Sequence, residues 1–229
     1  MGDNVTNLVL NVLNGSMPIA KLNKTNIAII PKTSNHKMMV EFQPISLCNV
    51  IYKLISKTLA NRLKILLPQI ITKNQSAFTS DQFIIDNVLV AFELMHYLNH
   101  KTLGKDGYMA AKLDKASDKV EWRFIQKVME KLGFNARWIN LIMQCITSVI
   151  YSVIINEVAH GNIIPTRRLR QGDPLSPSLF LLCTKGLSAL IHEATRNQAV
   201  TGISIGRGYP RVTYLFFADD SIFFSKASL

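Results

Sequence analysis

The chain has 229 residues, 48% of them hydrophobic, and a formal net charge of +11. That size and apolar content allow one good-sized domain or two small lobes and exclude a globally disordered chain. The most apolar segment, SLFLLCTKGLSALI, is broken by Lys185, so no uninterrupted run approaches the ~18 residues of a membrane span. The N-terminus, MGDNVTNLVLNVLNG, has no basic region or clear cleavage site, so no secretory signal is read. MGDNVT also fits the minimal N-myristoylation pattern, which is too permissive to carry weight. Cys48, Cys145 and Cys183 are odd in number and far apart, as expected of buried thiols in a reducing compartment. The basic excess is uneven: residues 1–80 hold nine Lys or Arg against only Asp3 and Glu41, so +7 of the +11 lies there. Such a surface suits a polyanionic partner, or is merely solvated.

Residues 5–14 are apolar and helical in character, ending at Asn14-Gly15. TNIAIIPK (25–32) reads as a short strand closed by Pro31. In VIYKLISKTLANRLKILLP, Val50, Ile51, Leu54, Ile55, Leu59, Leu63 and Leu66 recur at helical spacing, Lys53, Lys57 and Lys64 fall mostly off that stripe, and Pro68 is expected to end the helix. A second helix is predicted over 84–99, followed by a basic loop; His96 and His100, without an acidic third ligand, read there as a solvated face. GYMAAKLD (107–114) alternates into a strand finishing on Asp114. Helices follow from about Glu121 to Leu132, capped by Gly133, and from Asn135 to about Thr147. Residues 148–156 are β-rich. PTRRLRQGDPLSPSLFLLC then runs from a basic loop through a polar turn at Gly172 into a long helix, with Pro174 and Pro177 in its first turns. TYLFFADDSIFF closes the chain as two short strands around Asp219 and Asp220. Trp122 and Trp138, on helices, are expected in the core. No linker or repeat interrupts the chain, and the irregular mixture of helices and strands predicts an α+β fold.

Alone, the acidic pair reads as a plain hairpin turn, or as a metal site, because paired carboxylates on a rigid hairpin suit a hard divalent cation. Three segments in one order weigh on that choice: Asp114 at a strand end, RQGDPLSP entering a helix, and FADD in a hairpin. This order resembles a reverse transcriptase. PISLCNVIYKLISKTLANRLK, NQSAF, DNVLVAFELMHYL, GYMAAKLD, KVEW, WINLIMQCITSV, HGNIIPTR, RQGDPLSP and FADDS are similar to the non-LTR (LINE-type) retrotransposon polymerases common in plants, from about Leu8 to Ala227.

The resemblance implies a polymerase right hand with fingers and palm. Residues 1–110 would be mainly N-terminal extension and fingers, and 107–229 mainly palm, with 157–170 returning to the fingers. It implies RNA-directed DNA synthesis inside the cell, in nucleus or cytoplasm, from an RNA template, a DNA primer and deoxynucleoside triphosphates. Two Mg2+ (or Mn2+) ions roughly 3.5–4 Å apart would be held by Asp114, Asp219 and the more peripheral Asp220. Gln171, Gly172 and Ser117 would meet the incoming nucleotide. Arg167, Arg168 and Arg170 would meet template or phosphate, or form a solvated loop; Lys53, Lys57 and Lys64 would meet nucleic acid. Phe217 would pack beneath the primer end or fill core.

The chain also departs from the pattern. The family's K-L-D-M-S-K-A-Y-D is shortened to KLDKASD, and its tyrosine is Ser117. Gln43 and Gln82 replace arginines expected to contact phosphate, and the usual Asn-Gly turn is Asn156-Glu157. The chain stops nine residues after Asp220, so the primer grip, the thumb and any endonuclease or RNase H region are expected to be absent. These departures imply an impaired copy. The alternatives are a non-catalytic basic RNA- or DNA-binding remnant and a pseudogene product.

Overall fold

The computed structural model describes residues 2–71, 84–100, 107–113, 116–206, 208–217 and 220–227. Asp114, Asp219, Gln82, the NQSAF segment and the basic loop after His100 lie outside these described residues. Two compact units are built from interleaved stretches, 1–66 with 120–180 and 67–119 with 181–229.

The first unit carries a four-stranded sheet of β1 (Lys24–Pro31), β2 (Phe42–Cys48), β4 (Ile150–Ile155) and β5 (Val158–Ile163), in the order β2-β1-β4-β5. β1 runs antiparallel to β2 and parallel to β4, and β4 antiparallel to β5. Pro44 is tolerated because β2 is an edge strand, where a missing N–H costs no ladder bond. The β4–β5 turn forms without its expected glycine: Asn156 and Glu157 adopt φ of 48° and 66°. Asparagine tolerates that left-handed backbone; glutamate does so at a cost.

Around this sheet lie α1 (Gly2–Leu13), α2 (Val50–Ile70), α4 (Trp122–Lys131) and α5 (Ala136–Thr147). In α4 and α5, Ile125, Val128 and Met129 and Ile139, Ile142, Cys145 and Ile146 are buried at helical spacing. Asn135 caps α5, its side chain accepting from the Arg137 N–H at 2.9 Å. The buried stripe of α2 agrees with the expected one at Ile55, Leu59 and Leu63 and departs from it elsewhere. Tyr52, Ile55, Ser56, Leu59, Ala60, Leu63 and Leu67 face inward, whereas Val50, Leu54 and Leu66 are exposed. Tyr52 can be buried because its hydroxyl finds partners, the Asp173 carboxylate at 2.6 Å and the Cys145 carbonyl at 3.3 Å. Pro68 does not end α2 either; the helix continues to Ile70, and the Ile71 N–H still reaches the Leu67 carbonyl. A proline this close to a C-terminus forfeits one bond without stopping the turn. Trp122 and Trp138 are half-buried rather than core residues, and the Trp122 indole donates to the Arg168 carbonyl at 2.9 Å.

In the second unit, β3 (Gly107–Leu113), β7 (Asp220–Ala227) and β6 (Tyr214–Phe217) form an antiparallel sheet with β7 central. Ala91 and Leu94 of α3 (Ile84–His100) pack with Ile203, Leu215 and Phe224 in one apolar cluster. Neighbouring Tyr214 instead meets Ser188 and His192 of α6 (Ser176–Arg196). Pro177 sits in the first turn of α6, while Pro174 precedes the helix, contrary to expectation. All three cysteines are buried free thiols, as expected. Among the described residues no helix is long and apolar enough to cross a membrane.

Candidate active site

The acidic motif rests on the three-stranded sheet. β6 and β7 pair antiparallel up to Phe217 opposite Asp220, and Leu113, the last described residue of β3, is opposite Ser221. The hairpin expected around FADD is therefore present beside the strand expected to end at Asp114. Asp220, at the start of β7, keeps its side chain 45% exposed and lies 3.3 Å from Lys112 Nζ. A carboxylate with open solvent access is the oxygen donor a hard divalent ion takes, and here it already has a cationic neighbour. Among the described residues no group of three or more His, Cys, Asp or Glu is placed to hold a metal ion, and Asp114 and Asp219 are not among those residues. Ser117 belongs to a 3-10 turn, Ala116–Lys119.

The RQGD loop, in the first unit, alternates between buried and exposed. Leu169, Arg170 and Asp173 are buried, while Gln171 and Gly172 between them face solvent. Gly172 has φ +86°, and a Cβ there would stand 3.4 Å from the Ser46 carbonyl oxygen. The positive φ favours glycine, while a Cβ would make only ordinary contact. The Gln171 carbonyl accepts from the Ser46 N–H of β2 at 3.4 Å.

Arg170 corrects the sequence reading. Its side chain is not on a solvated loop with Arg167 and Arg168, which are exposed, but is buried and unavailable to phosphate. Its guanidinium donates to Asn23 Oδ1 at 2.7 Å, Thr25 Oγ1 at 3.3 Å and Cys48 Sγ at 3.4 Å, and lies 4.5 Å from the centre of the Tyr52 ring. Arg170 Nε finds no hydrogen-bond partner among the described residues. Asp173 is 3.9 Å from Arg170 Nη1, accepts from the Tyr52 hydroxyl at 2.6 Å, and its other oxygen accepts from the Leu175 N–H at 3.0 Å. Burial, then the Asp173 carboxylate and Cys145, push the Tyr52 phenol well above its ordinary pKa, so it remains a donor. Burial opposes the charge on Arg170, but Tyr52, Asp173 and Cys48 outweigh it and raise its pKa. Removing one member of such a buried pair strands the other charge, at a cost of about 3–5 kcal/mol.

Lys53, Lys57 and Lys64 are all exposed on α2, and their spacing puts them within a narrow sector of the helix. His96 and His100 are exposed on α3 with their rings stacked 4.1 Å apart, consistent with the solvated face expected.

Residues 30–228 match the family described as reverse transcriptase (RNA-dependent DNA polymerase). The chain belongs to this family. Within it, this is a reverse transcriptase domain of the non-LTR retrotransposon type. It is 24% identical over 208 residues to the transposon TX1 149 kDa protein of Xenopus laevis, covering 91% of this chain and 15% of that protein. It is 26% identical over 216 residues to the Pol polyprotein of the type-1 retrotransposable element R2 of Popillia japonica, covering 92% of this chain and 28% of that one. The reverse transcriptase domain thus spans a small part of these relatives. A shorter match, 48% identical over 68 residues, is to an uncharacterized mitochondrial protein of Arabidopsis thaliana, covering 30% of this chain and 56% of that protein.

Among solved structures, the domain resembles apo telomerase from Candida tropicalis truncated from its C-terminal domain, with a TM-score of 0.55 at 14% identity over 90% of this chain and 44% of that one. It also resembles telomerase from Candida albicans in complex with a fragment of telomeric RNA, with a TM-score of 0.51 at 13% identity over 89% and 38% of the two chains. The α+β fold is that of polymerase fingers and palm.

Sequence reasoning about the reverse transcriptase domain missed Asp173, Tyr52 and Asn23. The available signal was a pair of opposite charges, Arg170 and Asp173, flanking the Gln-Gly dipeptide at a spacing of three.

Proposed function

We propose that this domain belongs to a plant LINE-type element and copies RNA into DNA by two-metal nucleotidyl transfer, as an impaired copy. The observation that carries this reading is the strand register, with β7 starting at Asp220 and Leu113 opposite Ser221, so the flanks of both acidic motifs share one sheet. Asp114, Asp219 and Asp220 would hold Mg2+ or Mn2+. Bound ions would activate the primer hydroxyl and stabilise the leaving pyrophosphate. Gln171 and Gly172 would present backbone and amide to a deoxynucleoside triphosphate, and the lysines of α2 would take the phosphates of the RNA template or DNA primer. The plant origin is supported by the Arabidopsis match. Action would take place in nucleus or cytoplasm, where template and primer meet.

The second reading, a non-catalytic nucleic-acid-binding remnant, is favoured by the Lys112–Asp220 ion pair, which balances part of the negative charge a metal would require.

The test is primer extension on an RNA template with Mg2+ or Mn2+, using the wild-type chain and Asp219→Asn. Trace, metal-dependent synthesis that disappears in the variant supports the impaired polymerase. Vigorous wild-type synthesis refutes impairment, and synthesis that survives Asp219→Asn refutes the site. Salt-sensitive RNA binding with no synthesis under either metal favours the remnant.

A further inference from the structure

We propose that Arg170, Asp173 and Tyr52 are positioning residues that hold the exposed Gln171–Gly172 backbone in the shape that receives a deoxynucleoside triphosphate. The proposal rests on the reading that this loop meets the nucleotide.

Three observations converge on it. First, the loop is anchored on both sides of the exposed dipeptide. Arg170 is fixed by Asn23, Thr25 and Cys48, and Asp173 by Tyr52 and the Leu175 N–H. Only two residues separate these anchors, and a residue spans at most ~3.6 Å, so the backbone between them has little freedom.

Second, the anchors come from elements distant in sequence. Asn23 precedes β1, Thr25 lies in β1, Cys48 ends β2 and Tyr52 is in α2. Asn23 also donates to the Cys145 carbonyl of α5 at 2.8 Å and to Ser148 Oγ at 3.0 Å. The loop's shape is thus set by distant elements of the first unit together with a local turn, in which the Asp173 N–H donates to the Arg170 carbonyl at 3.4 Å.

Third, the chemistry is a poor choice for stability alone. A buried ion pair is often no more stabilising than apolar residues of equal volume, and in some proteins such pairs serve to select one arrangement. The selected arrangement places Gly172 at φ +86° with both dipeptide residues in solvent.

The decisive variant is Tyr52→Phe, which deletes one hydroxyl and leaves the ring over Arg170. Asp173→Asn, which keeps the shape and removes the charge, is the second variant. For each chain three quantities are measured: peptide-resolved hydrogen exchange, affinity for primer–template, and affinity of the primer–template complex for a fluorescent deoxynucleoside triphosphate with Mg2+. The expected result is exchange at least tenfold faster at the Asp173 and Ser46 amides, which donate to the Arg170 and Gln171 carbonyls, with α4 unchanged. Nucleotide affinity should fall at least fivefold at unchanged primer–template affinity. Unchanged exchange at both amides, or acceleration spread evenly over the unit, overturns the positioning role. Gln171→Ala separates the two readings. If the loop loosens in Tyr52→Phe but neither that variant nor Gln171→Ala affects nucleotide affinity, the anchors stand and the nucleotide role of the loop is overturned.

Discussion

Lys112 Nζ lies 3.3 Å from the Asp220 carboxylate, on adjacent strands of the three-stranded sheet. Both side chains are about half exposed, so solvent screens the pair and its contribution to stability is at most about 1 kcal/mol. The same positive charge would compete with a metal for the Asp220 carboxylate. Lys112→Met is expected to lower the Mn2+ concentration for half-maximal binding several-fold, with a thermal midpoint within a few degrees of wild type. Titration calorimetry with Mn2+ checks this; weaker Mn2+ binding in the variant would show that Lys112 is no competitor.

Neutralising the exposed sector of α2 should weaken nucleic-acid binding without changing sequence preference. Each phosphate that a lysine ceases to neutralise reduces the log–log salt slope by about 0.9 on duplex and about 0.7 on single strands. Lys53→Gln with Lys57→Gln and Lys64→Gln is therefore expected to flatten the slope by about 2 to 3. An unchanged slope in anisotropy titrations at several salt concentrations would make the three lysines bystanders.

The β4–β5 turn holds Glu157 at φ 66°, which a side chain adopts at a cost and glycine adopts freely. Glu157→Gly should stabilise the chain by about 1 kcal/mol, offset in part by glycine's greater freedom in the unfolded state. Urea unfolding is the measurement, and a lower midpoint in the variant would contradict the turn geometry.

Burial pushes the Cys183 thiol from its ordinary 9.0 up to about 12, and raises Cys145 and Tyr52 as well. In each case the folded chain holds a proton that the unfolded chain releases. Their contribution is therefore complete below about pH 9 for the two thiols and below about pH 10 for Tyr52, and declines above that by about 1.4 kcal/mol per pH unit per group until the folded value is reached. The thermal midpoint should fall from pH 9 toward 11. Cys183→Ala, whatever its stability at neutral pH, should show a shallower decline; parallel curves would exclude Cys183 as a source.

Restoring the family pattern should raise synthesis. Inserting Met-Ser after Asp114, with Ser117→Tyr, Gln43→Arg and Gln82→Arg, is expected to increase primer extension at least tenfold, equivalent to about 1.4 kcal/mol in the barrier. Gln43 is exposed on the edge strand β2, so arginine fits there without repacking. No gain in extension rate would place the impairment elsewhere.

Local and short-range features were legible in the sequence: the start of α5 at Asn135, the strands around FADD, the strand leading to Asp114 and the Gln-Gly dipeptide before a helix. Each depends on residues within a few positions of one another, where turn chemistry and periodicity act directly. Arg170 was not legible, because three arginines in TRRLR look alike until Asn23 and Thr25, about 145 residues away in sequence, close around one of them. The face of α2 was legible only in part: Ile55, Leu59 and Leu63 are buried as periodicity expects, whereas Val50, Leu54 and Leu66 are exposed. Apolar residues occur around most of that helix, and the inward turn of Tyr52 depends on its hydroxyl finding Asp173. Sequence periodicity counts apolar side chains, whereas burial of a phenol or a guanidinium depends on partners that only the folded chain supplies.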